Sequence, residues 1–415
     1  MARRNQIFSV WREVARRYGF EEYDGPPLEA LELFIEKSGP EIVTQLFNFT
    51  DKGNREVTLR PEMTPTLVRM LGAKIKELPK PVRWFSTPQL FRYEKQQRGR
   101  LREHFQLNMD IVGETSVLAD ADLLSAALDV LRSLGLGPDD IVARYSDRRL
   151  LHQALLALGV TEENLPVAYN VIDKVERDPR EVGIKRLTEL GLDAKTAEEA
   201  LELTSLSLDQ IASRLGTGEI TDRILAELRL YQSTLAGLGF GEYIRFDMKI
   251  VRGLAYYTGM VFEIFDRRGQ LRAICGGGRY DRLFHSLAGV DVPALGFGFG
   301  DVVLGELLKD RRLEKNYTRS ADVCVIAADE SARIAAIDVV RQMRSGGHST
   351  IFNYRALEEG KVDVGKQLKY AVTSGAARAV IVSGSEATIR VKDLATGQQD
   401  EMTVQQFQQR YPPAR

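Results

Sequence analysis

Apolar and polar residues alternate strictly along residues 104–111. This two-residue period predicts a β-strand whose two faces differ in polarity. A preceding strand is expected to begin at about Val82 and to carry Arg92 and Glu94 on one face. The two segments, with their polar connection at residues 95–102, are interpreted as an antiparallel hairpin. The apolar face of the second strand consists of Phe105, Leu107, Met109 and Ile111, its polar face of His104, Gln106, Asn108 and Asp110, and the cationic tip of Lys95, Arg98, Arg100 and Arg102.

Two glycine patterns follow later in the chain. In residues 295–300 glycine occupies every second position, which on a strand removes the side chains from one face and leaves a flat slot. Such a slot suits a planar ring such as adenine, and Asp301 is expected to cap the next helix. The second pattern, residues 276–278, separates a predicted strand at 271–275 from a predicted helix at 281–288. These three glycines indicate either an ordinary turn or a loop that lets a ligand approach the backbone.

Periodicity along the rest of the chain predicts two domains, as its 415 residues also favour. Residues 1–17 have helical spacing, which favours a folded first helix over a targeting presequence. Residues 161–240 are almost wholly helical in pattern and are interpreted as an insertion within a β-rich domain spanning residues 1–318. From residue 319 to 415 strands alternate with helices, which predicts a small α/β domain with a largely buried sheet.

Composition narrows the function classes. Charged residues make up 28% of the chain and the net charge is −1, so any nucleic-acid contact must use local patches. There are two cysteines without a CxxC spacing and four widely separated histidines, which does not support a disulfide framework or a structural metal. No apolar run approaches the roughly 20 residues that span a bilayer. We therefore expect a cytoplasmic protein without a membrane segment.

The cationic hairpin tip has two interpretations. It is either a solvated turn or a site for an anionic ligand, because the arginine side chain donates two parallel hydrogen bonds to a phosphate. The role of Glu62 also has two interpretations. It lies near the start of a predicted helix, where it either complements the helix dipole or presents a carboxylate at the mouth of a pocket.

Several motifs together resemble one known family. Arg92-Tyr93-Glu94 with Gly99-Arg100-Leu101-Arg102 is similar to motif 2 of the class II aminoacyl-tRNA synthetases. Residues 252–259, Arg-Gly-Leu-Ala-Tyr-Tyr-Thr-Gly, resemble the signature of the histidyl-tRNA synthetase family, and residues 277–281 resemble its companion element. Pro26 and residues 58–64 also match family segments. The resemblance implies an α+β fold: a class II antiparallel sheet flanked by helices, a helical insertion and a C-terminal α/β anticodon-binding domain.

The resemblance implies a two-step reaction. The carboxylate of L-histidine attacks the α-phosphate of ATP, with Mg²⁺ accompanying the nucleotide, and the histidyl group then passes to tRNA(His). Arg92 and Arg252 would hold the α-phosphate as the catalytic residues. The other implied ATP-binding residues are Glu94 at the adenine amino group, Arg100 and Arg102 near the phosphates, and Gly298 and Gly300 in the glycine slot.

The family resemblance also implies an amino-acid pocket and partners. The ammonium group of histidine would contact Glu62, Thr64 and Gln106. The imidazole would contact Asp110 and Tyr257, and the pocket would be closed by Tyr256 and the backbone of Gly277 and Gly278. A homodimer is implied, with the insertion on the acceptor stem of the tRNA and the C-terminal domain on its anticodon.

Three departures from the family pattern stand out. Val303 occupies the place where motif 3 normally ends in an arginine that covers the adenine. Asp110 replaces the more usual glutamate, and a short leader before the first helix is missing. Two alternatives therefore stay open: a histidine-sensing regulatory subunit of ATP phosphoribosyltransferase, and a non-catalytic RNA-binding or signalling relative. The regulatory paralogue typically lacks the anticodon domain, whereas this chain has about 95 residues of it, and retention of both Arg92 and Arg252 argues against both alternatives.

Overall fold

The structure is a computed structural model that describes residues 1–38, 40–216, 218–251, 256–269, 271–314, 321–358, 360–384 and 388–413. It divides into two compact units, Met1–Lys315 and Asn316–Arg415. No helix in the described ranges is both long and apolar enough to cross a membrane.

The first unit contains two sheets. Its strands are, in chain order, β1 (Glu21–Glu22), β2 (Leu28–Ala30), β3 (Asn48–Thr50), β4 (Glu56–Leu59), β5 (Val82–Ser86), β6 (Gln89–Phe91), β7 (Glu103–Val112), β8 (Ile141–Asp147), β9 (Ile244–Phe246), β10 (Met260–Asp266), β11 (Cys275–Arg279) and β12 (Ala294–Gly300). The large sheet has the order β1-β5-β7-β12-β11-β10-β8-β9, with β6 also paired to β7. Its central pairs, from β5 to β8, are antiparallel. Strands β2, β4 and β3 form the small sheet.

Helices cover one face of the large sheet. In chain order the helices of this unit are α1 (Ala2–Arg17), α2 (Leu31–Ser38), α3 (Thr64–Gly72), α4 (Val117–Ser133), α5 (Arg148–Ala157), α6 (Leu165–Asp173), α7 (Arg180–Thr188), α8 (Ala194–Leu203), α9 (Leu208–Leu215), α10 (Glu219–Gly237), α11 (Leu283–Ala288) and α12 (Asp301–Asp310). Helices α1, α4 and α12 pack together and against the sheet. The predicted first helix is confirmed by α1, which buries Ile7, Trp11 and Val14.

The alternation along β7 decides which face of the sheet is the core. Leu107, Met109 and Ile111 are fully buried in the main hydrophobic cluster, with Phe105 packed against it. The opposite face of β7 carries the polar residues, and only its Val112 end packs in a second hydrophobic cluster with α3 and α11. The predicted period of this strand is therefore confirmed, and it leaves a polar sheet surface on which a site can form.

The region predicted as a helical insertion consists of α6 to α10 and joins the sheet through polar contacts. Arg144 of β8 donates two hydrogen bonds to Glu176 after α6, at 3.0 and 2.8 Å, and a third to Asp247 at 2.7 Å. Arg144 is buried and both of its partners carry charge, so these contacts fix the start of the helical region against the sheet.

The second unit is a five-stranded sheet with helices. Its elements are β13 (Val323–Ala327), α13 (Arg333–Ser345), β14 (Thr350–Phe352), α14 (Val364–Thr373), β15 (Arg378–Val382), β16 (Ile389–Asp393), β17 (Gln399–Met402) and α15 (Val404–Arg410). The strand order is β14-β13-β15-β16-β17, with the first three strands parallel. The predicted alternation of strand and helix is confirmed. The antiparallel β16–β17 pair and α15 were not predicted.

Three local predictions were wrong. The predicted first hairpin strand is divided at residues 87–88 into β5 and β6, and β6 ends at Phe91, so Arg92 and Glu94 lie in the following loop. The glycines at 276–278 lie inside β11 rather than in a turn, and at Gly277 and Gly278 the neighbouring strands approach too closely for a side chain. Asp301 does not cap α12; its carboxylate accepts a hydrogen bond of 3.0 Å from the backbone N–H of Phe105.

A pair of glycine substitutions tests how closely β11 is packed. A Cβ on Gly277 would lie 2.5 Å from Phe297 Cβ, so Gly277→Ala should destabilise the protein by about 1–3 kcal/mol. Gly237, at the end of α10, has no atom within 4 Å of such a Cβ. Gly237→Ala should therefore stabilise the protein, by about 0.5 kcal/mol, because alanine favours helix. Urea unfolding of both variants measures the difference, and equal effects would contradict the packing described for β11.

Candidate active site

A cavity of about 940 Å³ opens on the polar face of the large sheet. Its floor is formed by β7 and β12, and the loop between β6 and β7 forms one wall. The predicted site residues that line it are Glu62, Thr64, Arg92, Glu94, Arg100, Gln106, Tyr256, Tyr257, Gly298 and Gly300. Residues from five separate stretches of the chain therefore meet at one cavity.

The glycines of β12 make room for side chains of β7. A Cβ on Gly296 would collide with the carboxylate of Asp110, and one on Gly298 would lie 2.7 Å from the amide of Gln106. At Gly300 the space is open within 4 Å. The predicted flat slot is therefore covered by Gln106 and Asp110 over most of its length and is open only at its Gly300 end.

The loop between β6 and β7 holds its arginines in different ways. Arg92 donates through Nε to the carbonyl oxygen of Pro61 at 3.0 Å, and Arg100 pairs with Glu94 at 2.7 Å. Arg98 at the tip contacts two carboxylates of α12, Glu306 and Asp310, at 3.3 and 2.9 Å. These contacts dock the loop on the first unit and keep Arg92 and Arg100 at the cavity.

One of the predicted arginines lies away from the cavity, and another is not among the described residues. Arg102 does not line it; its guanidinium lies 4.4 Å from the centre of the Tyr93 ring and donates to the carbonyl oxygen of Glu94 at 3.3 Å. Arg252, predicted as the second catalytic arginine, lies outside the described residues. The structure therefore places Arg92 and Arg100 at the cavity, whereas the position of Arg252 is not described.

A buried Tyr–Asp contact lies beside the cavity, where Tyr280 lines the wall and the predicted site residue Asp110 lies behind it without lining the cavity. Tyr280 donates a hydrogen bond of 2.5 Å to Asp110 Oδ1, and both residues are about 2% exposed. Burial raises the pKa of Tyr280 well above its ordinary value, with the Asp110 charge adding to the effect. Tyr280 therefore stays protonated at neutral pH and holds the Asp110 carboxylate in place as a permanent donor. The rings of Tyr256 and Tyr257 lie next to this pair, 4.6 Å apart.

Gly277 and Gly278 do not line the cavity. Both are buried within β11, where Gly277 faces Phe297 and Gly278 faces Val261. Gly276, one residue earlier, does line the cavity. Of these three glycines, Gly276 alone therefore lies at the cavity.

Several cavity residues had no role in the sequence-based prediction. Asn108 is buried on the floor, and its Oδ1 has no hydrogen-bond partner among the described residues. His104 and Arg272 also line the cavity. The alternation along β7 predicts that His104 and Asn108 lie on the polar face. No local signal marks Arg272. Tyr280 lies within residues 277–281, whose family resemblance gives this residue no specific role.

His104 has a strongly altered acidity. Its burial lowers its pKa from 6.5 to about 4, and the positive charge of Arg92 acts in the same direction. His104 is therefore neutral near pH 7 and adds no positive charge to the cavity. Because the pKa of His104 is lower in the folded state than in the unfolded state, unfolding takes up a proton between about pH 6.5 and pH 4. The free energy of unfolding is therefore higher at neutral pH and decreases as the pH falls through this range.

An antiparallel sheet backed by helices, with arginines and carboxylates gathered on its polar face, defines the catalytic unit of a class II aminoacyl-tRNA synthetase. Comparison with known proteins narrows the class further. The family model described as histidyl-tRNA synthetase matches residues 1–300. The chain is 41% identical to a histidine–tRNA ligase of Opitutus terrae, over 98% of this chain and 94% of that protein. It is also 41% identical to the chloroplastic/mitochondrial histidine–tRNA ligase of Arabidopsis thaliana, over 96% and 81%. This chain belongs to the histidyl-tRNA synthetase family.

Solved structures share the fold at lower sequence identity. The histidyl-tRNA synthetase from Nostoc sp. PCC 7120 superposes with a TM-score of 0.80 at 22% identity, covering 98% of this chain and 95% of that chain. A protein described as an ATP phosphoribosyltransferase regulatory subunit/histidyl-tRNA synthetase from Bacillus halodurans gives a TM-score of 0.74 at 22% identity, covering 92% of this chain and 95% of that chain. The predicted α+β fold is confirmed.

The pKa of His104 tests the electrostatic effect of Arg92 in the cavity. NMR should give a pKa of about 4 for His104 in the wild-type protein. In Arg92→Ala this pKa should rise towards the ordinary range, because one of its two causes is removed while burial remains. Arg268→Ala, at an exposed arginine outside the cavity, serves as the control and should leave the titration unchanged. An unchanged pKa in Arg92→Ala would show that Arg92 does not face His104.

Proposed function

We propose that this chain activates L-histidine with ATP to form histidyl-adenylate and transfers the histidyl group to the 3′ end of tRNA(His). The observation that carries the proposal is the meeting of Arg92 and Arg100 with the polar face of β7 in one cavity. That combination joins groups suited to a phosphate chain with groups suited to a small zwitterion. The names of the relatives at 41% identity support the same reaction.

In the activation step a carboxylate oxygen of histidine forms a bond to the α-phosphorus, and the bond from that phosphorus to the pyrophosphate oxygen breaks. Arg92 and Arg252 would stabilise the charge that develops on the α-phosphate. Arg100 would bind the outer phosphates once its contact to Glu94 is exchanged for them. Glu94 is then free to accept from the adenine amino group, as the family resemblance implies. Gly300 provides open space beside the ring.

The amino-acid pocket would recognise both ends of histidine. Glu62, Thr64 and Gln106 would bind the ammonium group, and Asp110 with Tyr257 the imidazole. Tyr280 supports this assignment, since its hydrogen bond fixes the Asp110 carboxylate. A buried carboxylate held in this way would favour histidine over amino acids that lack a ring N–H, because only a ring N–H adds a further hydrogen bond to it.

Magnesium would bind together with ATP. Glu263 lines the cavity and offers carboxylate oxygens of the kind that Mg²⁺ prefers, and in nucleotide sites such an ion is usually held by one or two carboxylates plus phosphates. When bound, the ion would neutralise part of the phosphate charge.

The remaining assignments extend from the same resemblance. Residues 319–415 would read the anticodon, the insertion at residues 161–240 would contact the acceptor stem, and the protein would act as a cytoplasmic homodimer. Full-length relatives that bear the ligase name favour this function over the histidine-sensing regulatory alternative.

Pyrophosphate exchange tests the activation step. The wild-type protein should incorporate labelled pyrophosphate into ATP only when L-histidine is present. Arg92→Ala and Arg252→Ala should each lower the rate by roughly 10²–10³-fold, the usual cost of removing a group that stabilises developing charge, while histidine binding stays measurable. Arg341→Ala, at an exposed arginine of α13, is the control and should exchange at the wild-type rate. Histidine binding without exchange in the wild-type protein would favour the sensor function instead.

Removal of residues 319–415 tests the role of the second unit. Exchange should be largely retained, because the cavity residues all belong to the first unit. Charging of tRNA(His) should fall by roughly 100-fold or more, since each lost base contact costs about 1–3 kcal/mol. Circular dichroism of the truncated protein verifies that the first unit is folded. Charging at the full-length rate would contradict an anticodon-binding role.

A further inference from the structure

A third arginine faces the nucleotide end of the cavity. Arg272 lies between β10 and β11, is exposed, and lines the cavity together with Gly300, Val302 and Val303. It makes no hydrogen bond or ion pair within the described ranges. A long cationic side chain on a cavity wall without a protein partner is available to bind a ligand.

Strand register explains how Arg272 reaches this position. In the antiparallel pair of β11 and β12, Cys275 lies opposite Phe299. Continuing that register three residues beyond the start of β11 brings Arg272 level with Val302, in the first turn of α12. Arg272 therefore enters the cavity at the end of the sheet where the slot over Gly300 is open.

The loop between β6 and β7 approaches the same place from the other side. A Cβ on Gly99 would lie 3.5 Å from Val303 Cγ2, and the adjacent Arg100 lines the cavity. The positive charge of Arg272 contributes, after burial, to lowering the pKa of Arg100, as does that of Arg92. Arg100 is thus close enough to both Arg272 and Arg92 for their charges to act on it.

Only one of these three arginines forms an ion pair among the residues that the structure describes. Glu94 pairs with Arg100 at 2.7 Å, but no ion pair to Arg92 or Arg272 forms among the residues that the structure describes. Glu263 also lines the cavity and is assigned above to the metal-bearing side of the nucleotide. Three arginines at one cavity, two of them without an ion pair among the described residues, suit a polyanionic ligand such as a phosphate chain.

We propose that Arg272 binds the phosphate chain of ATP and, with Arg100, supplies the positive charge at the end of the cavity where the side chain of Val303 provides none. This inference rests on the proposed function, because ATP is the polyanion that the activation step requires. It assigns to Arg272 a binding role in the ground state and during attack on the α-phosphate.

Direct nucleotide binding tests the proposal. With magnesium present, calorimetry compares a non-hydrolysable ATP analogue (α,β-methylene ATP) with adenosine for the wild-type protein, Arg272→Ala and Arg272→Lys. Loss of a charge-assisted contact should weaken binding of the analogue by roughly 10-fold or more in Arg272→Ala and leave adenosine unaffected. The lysine variant should recover part of the loss, since it keeps the charge without the planar fork.

The control variant is Arg268→Ala, an exposed arginine on the same connection that does not line the cavity. Its affinity for the analogue should equal that of the wild-type protein, and the affinity for L-histidine should be unchanged in every variant. An unchanged affinity of Arg272→Ala for the analogue, or an equal loss for analogue and adenosine, would overturn the proposal. If the only change in Arg272→Ala is a higher KM for tRNA, the proposal is overturned in favour of a contact between Arg272 and tRNA phosphates.

Failure of the broader function is distinguishable from failure of this inference. The binding measurement does not require turnover, so it reports on Arg272 even if the wild-type protein shows no histidine-dependent pyrophosphate exchange. If the wild-type protein shows no exchange but Arg272→Ala still binds the ATP analogue more weakly, the synthetase activity is refuted and the phosphate contact is retained.

Discussion

The cavity depends on the pairing of β7 with β12. Across this pair Gly296 lies opposite Asp110 and Gly298 opposite Asn108, so side chains of one strand extend over positions of the other that have none. A side chain on either glycine would displace Asp110 or Gln106. Adjacent strands are only about 4.8 Å apart. The side chains of Gln106, Asn108 and Asp110 can therefore lie on one sheet face because the neighbouring positions of β12 are glycines.

Charge in the cavity is arranged for a ligand rather than for the free protein. Arg98 is satisfied by Glu306 and Asp310 and serves to dock its loop on α12, whereas the arginines directed inward are only partly compensated. His104 stays neutral beside them because burial and Arg92 both lower its pKa. Near β7 the positive charge is therefore carried by the arginines and not by His104, and the planar guanidinium group suits phosphate.

Buried polar contacts join the distant parts of the first unit. Arg279 of β11 pairs with Asp120 of α4 at 2.5 Å and donates to the carbonyl oxygens of Glu114 and Ser116 at 2.8 and 3.3 Å. On the other side of the sheet, Arg144 connects β8 to the start of the helical region through Glu176. Breaking such buried pairs is costly, so the sheet, its covering helix and the helical region keep one arrangement around the cavity.

Local periodicity in the chain was sufficient to predict the β7 strand with its polar face, the first helix and the alternating elements after residue 319. These features follow from geometry that each segment carries within itself, since a two-residue or 3.6-residue period selects the buried face. Long-range packing was needed for the rest. The glycines of β11 resemble a turn until β10 and β12 close on either side of them, Arg102 lies against Tyr93 instead of at the cavity, and Tyr280 meets Asp110 across 170 residues of sequence. Contacts of this kind depend on which strands become neighbours, and no local pattern encodes that choice.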